Sequence, residues 1–288
     1  MKFELLFLDT VDPSLGRVDH ESLPQQALME MVIGEMTNKE KICGNANDPK
    51  DIEEWEGVTI EDGQVVEIDW RNSGLEGPLH LEWLPSSVRE IDLCYNELSG
   101  ALDLTSLPTS MKILDLGANA FTGPIGLERL PERIECLSVA HNQLSRSLKL
   151  ESLPDTLTEF NADDNKFSGS VDLTRLPAAL TLLDLTENQL SGSVALTQLP
   201  DGLENLYLGG NQFSGSLDLT RLPSSQHIFN LDLRNNAFSG TVDLSQLPQG
   251  LRQLDLSNNE LSGEVFISDA LFDRVNVRKT QIIKRHME

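Results

Sequence analysis

The stretch Leu180–Pro200, LTLLDLTENQLSGSVALTQLP, decides the fold because its skeleton recurs through most of the 288-residue chain. That skeleton is L-x-x-L-x-L-x-x-N-x-L-x-G, followed by x-V-x-L-x-x-L-P and a short polar link. The copies begin at Val65, Val88, Met111, Ile134, Leu157, Leu180, Leu203, Ile228, Leu251 and Phe272. Their spacing is 23 residues except for a step of 25 into Ile228, where the extra pair is placed at Gln226–His227, and a step of 21 into Phe272. A fixed period of this size indicates stacked units rather than one globular core.

Alternation within the unit predicts a short strand with one buried face. Leu183 and Leu185 point one way and Asp184 points the other, which is the period of a strand. Copies stacked side by side would form a parallel sheet with strands about 4.8 Å apart. Gly192 permits the turn out of the strand, and Pro200 ends the return path along the opposite side.

One asparagine recurs at the same place in eight successive units. The column is Asn96, Asn119, Asn142, Asn165, Asn188, Asn211, Asn236 and Asn259. A buried amide can donate to and accept from backbone groups left unpaired where the chain turns. We interpret the column as a structural asparagine ladder with no role in ligand binding. The outer units carry Ser73 and Thr280 instead, as expected for end repeats.

The chain before Val65 does not repeat. Ser22 as N-cap and the apolar spacing after it predict an amphipathic helix over Ser22–Met36 whose methionines pack on the first repeat. The polar stretch 38–51 predicts a loop. The chain is therefore divided into 1–64, an N-terminal region with helix and cap; 65–271, the repeats; and 272–288, a degenerate last repeat with a basic tail. We expect the positive charge of this tail to terminate the acidic solenoid electrostatically. The alternative is that the tail itself binds a partner.

Charge limits the class of partner. A net charge of −24 disfavours nucleic acid, whose phosphates are bound by Lys and Arg, and it would attract a basic partner. Apolar runs stay short of membrane-spanning length, so no membrane insertion is expected.

Compartment is predicted from the cysteines and the N-terminus. Three cysteines, Cys43, Cys94 and Cys136, do not make a disulfide framework. The start, MKFELLFLDTVD, makes a poor signal peptide. Together these features predict a cytoplasmic location.

The repeats resemble the leucine-rich repeat family from Val65 to about Ile282. Leu190–Val194 (LSGSV) is similar to the plant-specific subclass, and Asp218–Pro223 (DLTRLP) is similar to repeats of protozoan proteins. The resemblance implies an α/β fold. It would be a right-handed, horseshoe-shaped solenoid with a parallel β-sheet on its concave face, a mostly irregular convex side and an N-terminal helical cap. It also implies protein recognition on the concave face.

Trp55–Val58 (WEGV) resembles the W-x-G-V cap that precedes such repeats in plant receptor ectodomains. The family's cap has a cysteine two residues before the tryptophan and another two after the valine. Here these positions hold Glu53 and Ile60, so the cap disulfide is absent. This departure argues against an extracellular setting.

Aligning the repeats gives the side chains that face outward from the predicted sheet. The central column is Asp69, Asp92, Asp115, Ser138, Asn161, Asp184, Tyr207, Asp232, Asp255 and Asn276. Six aspartates share this column, and L-D-L is common in the family, so an ordinary solvated strand surface is the first interpretation. An acidic stripe for a basic protein or peptide is the second, and a calcium site is a weaker variant.

Two breaks in the column predict binding sites. Tyr207, beside Gly209 and Gly210, would form a ledge over a shallow hollow flanked by Asp184, Glu187 and Arg234. In the Ile134 unit, His141 lies near the acids of the next unit, and Arg146 replaces the turn glycine, which predicts a strained turn. The candidate partner-binding residues are Tyr207, Asp184, Glu187, Arg234, Asp232, Asn205, His141, Asn161 and Asp163.

Three functions remain open. The leading hypothesis is a non-catalytic protein-binding module or scaffold that uses the concave face, as a monomer, with no cofactor or metal. The alternative is a receptor-like or secreted ligand-recognition ectodomain. An enzyme is the least favoured, because His141 with Asp163 and Asp164 is the single acid–base group and lacks a nucleophile or cleft, and phosphate-loop, H-E-x-x-H and C-x-x-C motifs are missing.

Overall fold

The computed structural model describes residues 22–223 and 229–287, and these residues form a stack of short strands. The strands in chain order are β1 (Val58–Glu61), β2 (Gln64–Asp69), β3 (Glu76–Pro78), β4 (Glu90–Asp92), β5 (Glu97–Ala101), β6 (Ile113–Asp115), β7 (Ala120–Gly123), β8 (Cys136–Ser138), β9 (Gln143–Arg146), β10 (Glu159–Asn161), β11 (Lys166–Gly169), β12 (Leu182–Asp184), β13 (Gln189–Gly192), β14 (Asn205–Tyr207), β15 (Gln212–Gly215), β16 (Phe229–Asp232), β17 (Ala237–Thr241), β18 (Leu251–Asp255), β19 (Glu260–Ile267), β20 (Val275–Asn276) and β21 (Gln281–His286). Each repeat thus supplies two strands. The Gln226–His227 insertion lies outside the described residues.

The even-numbered strands form the parallel sheet predicted from the repeat. Sheet A has the order β1-β2-β4-β6-β8-β10-β12-β14-β16-β18-β20, and every pair in it is parallel except β1 with β2. Asp184 lies opposite Asn161 on one side and Tyr207 on the other, as the repeat alignment requires. The predicted solenoid with a parallel sheet on its concave face is therefore confirmed.

A second sheet was not predicted. The odd-numbered strands from β3 onward form sheet B, in the order β21-β19-β17-β15-β13-β11-β9-β7-β5-β3. Its strands come from the L-S-G segment of each repeat, where Leu190 is buried while Gln189 is exposed. The return path on the convex side holds short 3-10 turns at Leu81–Trp83, Leu104–Ser106 and Leu150–Ser152. Within the described residues, no helix is long and apolar enough to cross a bilayer.

The core is one continuous column between the two sheets. Leu183, Leu185 and Leu190 are completely buried, and equivalent side chains above and below them continue the column through every turn. Where phenylalanine replaces leucine, the rings stack along the solenoid axis: those of Phe213 and Phe238 are nearly parallel with centroids 6.3 Å apart. Each turn therefore buries its apolar face only against its neighbours, which is the way repeat proteins are stabilised.

The asparagine ladder bonds successive turns to one another. The Asn188 amide donates to the carbonyls of Ala162 (2.9 Å), Leu185 (3.2 Å) and Thr186 (3.1 Å) and accepts from Phe167 N–H at 3.0 Å. Six ladder asparagines are buried, whereas Asn119 and Asn236 are half-buried. In the last unit, the Thr280 hydroxyl donates to Val277 O at 2.7 Å and accepts from Ile282 N–H at 3.2 Å, so it replaces part of the amide's role.

The helical part of the N-terminal cap is shorter than predicted. Helix α1 spans Gln25–Val32 and follows Pro24 at its N-cap, so the assignment of Ser22 as N-cap was wrong. Pro24 has extended backbone angles and lacks an N–H, which suits the position before the first turn. The predicted 38–51 loop also contains a short helix, α2 (Glu40–Cys43). Met29 and Met36 are buried in the continuous core, as expected.

The W-x-G-V segment closes the first edge of sheet A. Strand β1 pairs antiparallel with β2, and the Asp69 N–H donates to Gly57 O at 2.7 Å. The indole of the buried Trp55 donates to Lys50 O at 2.9 Å, and that of Trp70 donates to Glu56 O at 2.8 Å. Two tryptophan–backbone bonds therefore hold this cap without a disulfide.

At the opposite end of the stack, basic residues of the tail bond to their own chain. After helix α3 (Asp269–Phe272), Lys284 lies 4.2 Å from the centroid of the Phe272 ring and donates to Phe272 O and to Val275 O. Burial lowers the pKa of Lys284. Arg285 pairs with Glu264 at 2.8 Å. The expectation that the tail ends the acidic solenoid electrostatically stays a prediction.

Candidate functional site

The candidate site lies on the concave face, where sheet A presents three columns of side chains. The central column has the register expected from the sequence, from Asp69 opposite Asp92 through to Asp255 opposite Asn276. Neighbouring strands are about 4.8 Å apart, so acids on successive strands repel one another unless they are paired.

Most acids of the central column have a structural bond of their own. One oxygen of Asp184 accepts from the backbone N–H of Thr186 at 2.9 Å, and one of Asp232 accepts from Arg234 N–H at 3.0 Å. The same bond to the residue two positions later occurs at Asp69, Asp92, Asp115, Asn161, Asp255 and Asn276. This explains why the repeat favours Asp or Asn here. In Asp69, Asp92, Asp232 and Asp255 the second carboxylate oxygen is also bonded, to Arg71, Arg234 or Asn276. In Asp115 and Asp184 it has no hydrogen-bond or ion-pair partner among the described residues.

Tyr207 breaks this pattern and turns along its own strand. Its hydroxyl donates to Asn205 Oδ1 at 2.9 Å, and the same oxygen accepts from the Asn230 amide at 2.8 Å. Burial, then the charges of Asp184 and Asp232, raise the pKa of the Tyr207 hydroxyl. The ring is thus fixed as a half-buried surface between two aspartates.

The predicted hollow beside Tyr207 is filled, so that expectation was wrong. A Cβ built on Gly209 would lie 3.1 Å from Arg234 Cγ, and one on Gly210 would lie 2.4 Å from Glu187 Oε1. The two glycines therefore make room for neighbouring side chains and leave no cavity. Arg234 Nε lies 3.2 Å from Asp232 Oδ2, and burial is the main cause that raises the pKa of Asp232.

His141 lies between two carboxylates of the next turn. Its Nδ1 is 2.9 Å from Asp164 Oδ2, and its Nε2 is 3.4 Å from Asp163 Oδ2. The bond to Asp164 is the main cause that raises the pKa of His141, whereas burial is the main cause that raises the pKa of Asp163. Asn161 accepts from Asp163 N–H and is thereby held beside this group.

Asp184 joins the two predicted sites into one patch. Its charge contributes to the raised pKa values of His141, Asp163, Tyr207 and Asp232. We call this surface the acidic patch and define it by Asp163, Asp164, Asp184, Glu187 and Asp232. Glu187 lies at its exposed margin, over Gly210.

Sequence reasoning missed a fourth column on the rim of this face. The residue before each ladder position has a left-handed backbone, for example φ 58° at Tyr95, 51° at His141 and 50° at Glu187. Tyr95 is 68 % exposed there, the largest value among the exposed large apolar side chains of the described residues. The signal was present in the sequence, since Asn or Gly holds this position in Asn72, Gly210, Asn235 and Asn258. The strain expected at Arg146 is also present, with φ 76°.

Among residues 22–223 and 229–287, one group has the composition of a candidate metal site. Asp92, Cys94 and Asp115 offer ligand atoms within 4.8 Å of one another. Burial and the neighbouring Asp92 raise the pKa of Cys94 to about 12, and Arg71 Nε already pairs with Asp92 at 3.3 Å. A thiol that stays protonated and an adjacent guanidinium both disfavour a cation.

The pair of carboxylates around His141 predicts a measurable pH dependence. We expect NMR titration to give His141 a pKa above its ordinary 6.5, because the imidazolium is stabilised by Asp164 and Asp163. The raised value means that this contribution to stability is complete below pH 6.5 and is lost as pH rises through the folded pKa. Asp164→Asn should lower the His141 pKa, while Asp155→Asn, an exposed acid elsewhere, should not change it. A wild-type pKa at or below 6.5 would contradict the geometry.

Comparison with known proteins shows the fold. The family model "Leucine Rich Repeat" matches residues 250–269. No curated protein matches the chain. Among solved structures, the PEPR1–AtPEP1 structure has a TM-score of 0.68 at 22 % identity, and it covers 91 % of this chain and 41 % of that one.

Two further structures are similar. The Arabidopsis receptor kinase HAESA, in complex with the peptide hormone IDA and the co-receptor SERK1, has a TM-score of 0.61 at 23 % identity over 91 % of this chain and 51 % of that one. A plant ice-binding protein has a TM-score of 0.54 at 19 % identity, over 83 % of this chain and 87 % of that one. The present chain thus spans about half or less of the two receptor chains, and at these identities the likeness shows the leucine-rich repeat fold alone.

Proposed function

We propose that this leucine-rich repeat solenoid is a non-catalytic recognition module whose acidic patch binds a basic segment of a protein or peptide. The observation that carries the proposal is the position of Asp184, whose charge acts on His141, Asp163, Tyr207 and Asp232 together. The patch has five carboxylates. Its two basic side chains, His141 and Arg234, already lie against Asp163, Asp164 and Asp232.

A basic ligand would relieve this excess of negative charge. Of the two aspartates that flank Tyr207, Asp184 keeps one oxygen outside its structural bond, whereas the second oxygen of Asp232 is shared with Arg234. A Lys or Arg side chain could bind there. The half-buried ring of Tyr207 offers a rigid apolar surface beside them, and tyrosine is favoured at such positions. Electrostatic attraction would also raise the association rate, and high salt would lower it.

The structural neighbours support the ligand class. HAESA is solved with a peptide hormone and a co-receptor, and it shares this fold. The likeness supports a peptide or protein ligand, while basic character rests on the acidic patch of this chain.

A receptor-like or secreted recognition module is the second candidate, favoured by the W-x-G-V cap and by the plant receptor structures. We favour a cytoplasmic location. The described cysteines, Cys43, Cys94 and Cys136, are free, and the cap is held by tryptophan–backbone bonds in place of a disulfide. The sequence also holds no Asn-x-Ser/Thr triplet. Fractionation of the tagged native protein would decide between the two: recovery in the medium or on the cell surface would favour the second candidate.

The binding proposal is tested with a peptide array that holds basic, neutral and acidic peptides of equal length. Wild type should select basic peptides, and Asp184→Asn with Asp232→Asn should weaken that selection by about tenfold or more, since each 1.4 kcal/mol lost is tenfold. Asparagine can keep the structural bond to the following turn, as Asn161 does, so the change removes charge and leaves the fold intact.

The matched control is the same substitution away from the patch. Asp201→Asn with Asp155→Asn removes two charges from exposed acids outside sheet A. It should leave binding unchanged. An equal loss of basic-peptide binding in both double variants would show that net charge alone attracts the peptides. Selection of acidic or neutral peptides by wild type would overturn the proposal.

A further inference from the structure

The two ends of the stack carry opposite charges. At the β1 end, seven acids lie within fifteen residues, and all are exposed. They are Asp48, Asp51, Glu53, Glu54, Glu56, Glu61 and Asp62, which we call the acidic end. Lys50 pairs with Glu54 at 4.0 Å and Arg89 pairs with Glu61 at 3.2 Å. The other five carboxylates have no ion-pair partner in the described part of the chain.

The β20 and β21 end is basic. Five of the chain's 22 lysines and arginines lie in residues 272–288. Lys284, Arg285 and Arg274 already bond to their own chain. Arg278 and Lys279, just after β20, are exposed and have no ion-pair partner among residues 22–223 and 229–287. These two cations define the basic end.

The basic end also exposes apolar side chains. Of the five large apolar side chains exposed in the described residues, three lie here: Phe266 (51 %), Ile283 (53 %) and Met287 (44 %). Strand β21 is the outermost strand of sheet B and β20 that of sheet A, so each has a single neighbouring strand. Exposed apolar groups beside an open strand edge are typical of an association surface.

We propose that the basic end of one copy docks on the acidic end of a second copy, in a head-to-tail contact. The partner is inferred from charge: the cations Arg278 and Lys279 meet the unpaired carboxylates around Asp51 and Glu53, while the rest of the surface is too acidic to attract a like molecule. Because the contact joins two different surfaces, it is heterologous and produces a dimer that can add further copies. This proposal replaces the expectation of a monomer and does not depend on the acidic patch.

Sedimentation equilibrium of the full chain at low and high salt tests the contact. Wild type should show a mass that rises with protein concentration at low salt and falls to that of one copy at high salt, because exposed charges are screened. Arg278→Glu with Lys279→Glu should remain one copy throughout, as should Asp51→Lys with Glu53→Lys. Arg133→Glu with Arg175→Glu, exposed arginines outside both ends, should associate like wild type.

Mixing the two end variants tests complementarity. In a mixture, the new glutamates at 278 and 279 of one variant meet the new lysines at 51 and 53 of the other, so the mixture should form one-to-one pairs while each variant alone stays single. A wild type that stays single at every concentration would overturn the proposal. Association that persists in both charge-reversal variants would also overturn it. So would a chain that binds phosphatidylserine vesicles through Arg278 and Lys279 but does not self-associate.

Discussion

Replacing Gly57 by alanine is expected to lower the free energy of unfolding by about 4 kcal/mol, because an added Cβ would meet a closer atom here than at any other described glycine. A Cβ at Gly57 would lie 2.0 Å from Asp69 O and 2.8 Å from Trp70 Cδ1. The same residue has φ +70°, which costs an L-residue about 1–2 kcal/mol. The clash cannot be relieved locally, because Gly57 O accepts the Asp69 N–H at 2.7 Å. We expect strand β1 to detach, and urea unfolding followed by tryptophan fluorescence measures the change.

Gly63→Ala is a matched control for this substitution. Gly63 has φ +75°, nearly that of Gly57, but nothing lies within 4 Å of an added Cβ. It should therefore show the backbone cost alone, about 1–2 kcal/mol. Equal losses at the two positions would mean that the close approach of Gly57 to Asp69 does not hold the cap.

Asn188→Ala is expected to destabilise the chain by about 3 kcal/mol. The substitution leaves the buried Phe167 N–H, which bonds to Asn188 at 3.0 Å, without its partner. It also removes the stronger of the two amide bonds to Ala162 O. Unfolding is again the measurement. The loss is larger than that of one hydrogen bond because a buried N–H is left unpaired and the three donations to carbonyls are lost with it.

Two control substitutions are compared with Asn188→Ala for their loss of stability. Gln189→Ala, on the exposed next residue, should change stability by no more than about 0.5 kcal/mol. Asn236→Ala removes an equivalent set of bonds from a half-buried site, where water can replace part of the amide, so its effect should fall in between. A loss at Asn188 no greater than that at Gln189 would contradict the ladder's structural role.

Much of the fold was predictable because the same pattern of leucine and asparagine positions recurs in every internal repeat. The Leu183–Leu185 alternation and the Asn188 column gave the strands and their register, and Tyr207 lies opposite Asp184 and Asp232 as aligned. The second sheet was missed because the LSG segment is too short to show an alternating pattern in one copy. Helix α1 was placed too early because Ser22 looked like a better cap than Pro24.

The candidate site was less predictable than the fold, because side-chain direction is set by neighbours in space. The hollow expected at Gly209 and Gly210 assumed that missing side chains leave space, yet Arg234 and Glu187 fill it. The repeat alignment correctly placed His141 near Asp163 and Asp164, because residues about one repeat apart lie side by side on neighbouring turns. The domain division and the binding roles of these residues stay predictions.

The left-handed column on the rim has a consequence for how such a surface can change over evolutionary time. Folding alone would favour Gly or Asn at each of its positions, because other residues cost about 1–2 kcal/mol there. Yet the column also holds Tyr95, Ala118, His141, Asp164, Glu187 and Lys279. These side chains are therefore not the ones that stability alone would favour. Substitution of one for another keeps a non-glycine residue in the left-handed conformation, so the free energy of unfolding should change little. A library that varies this row alone would diversify recognition while leaving the buried ladder and core untouched.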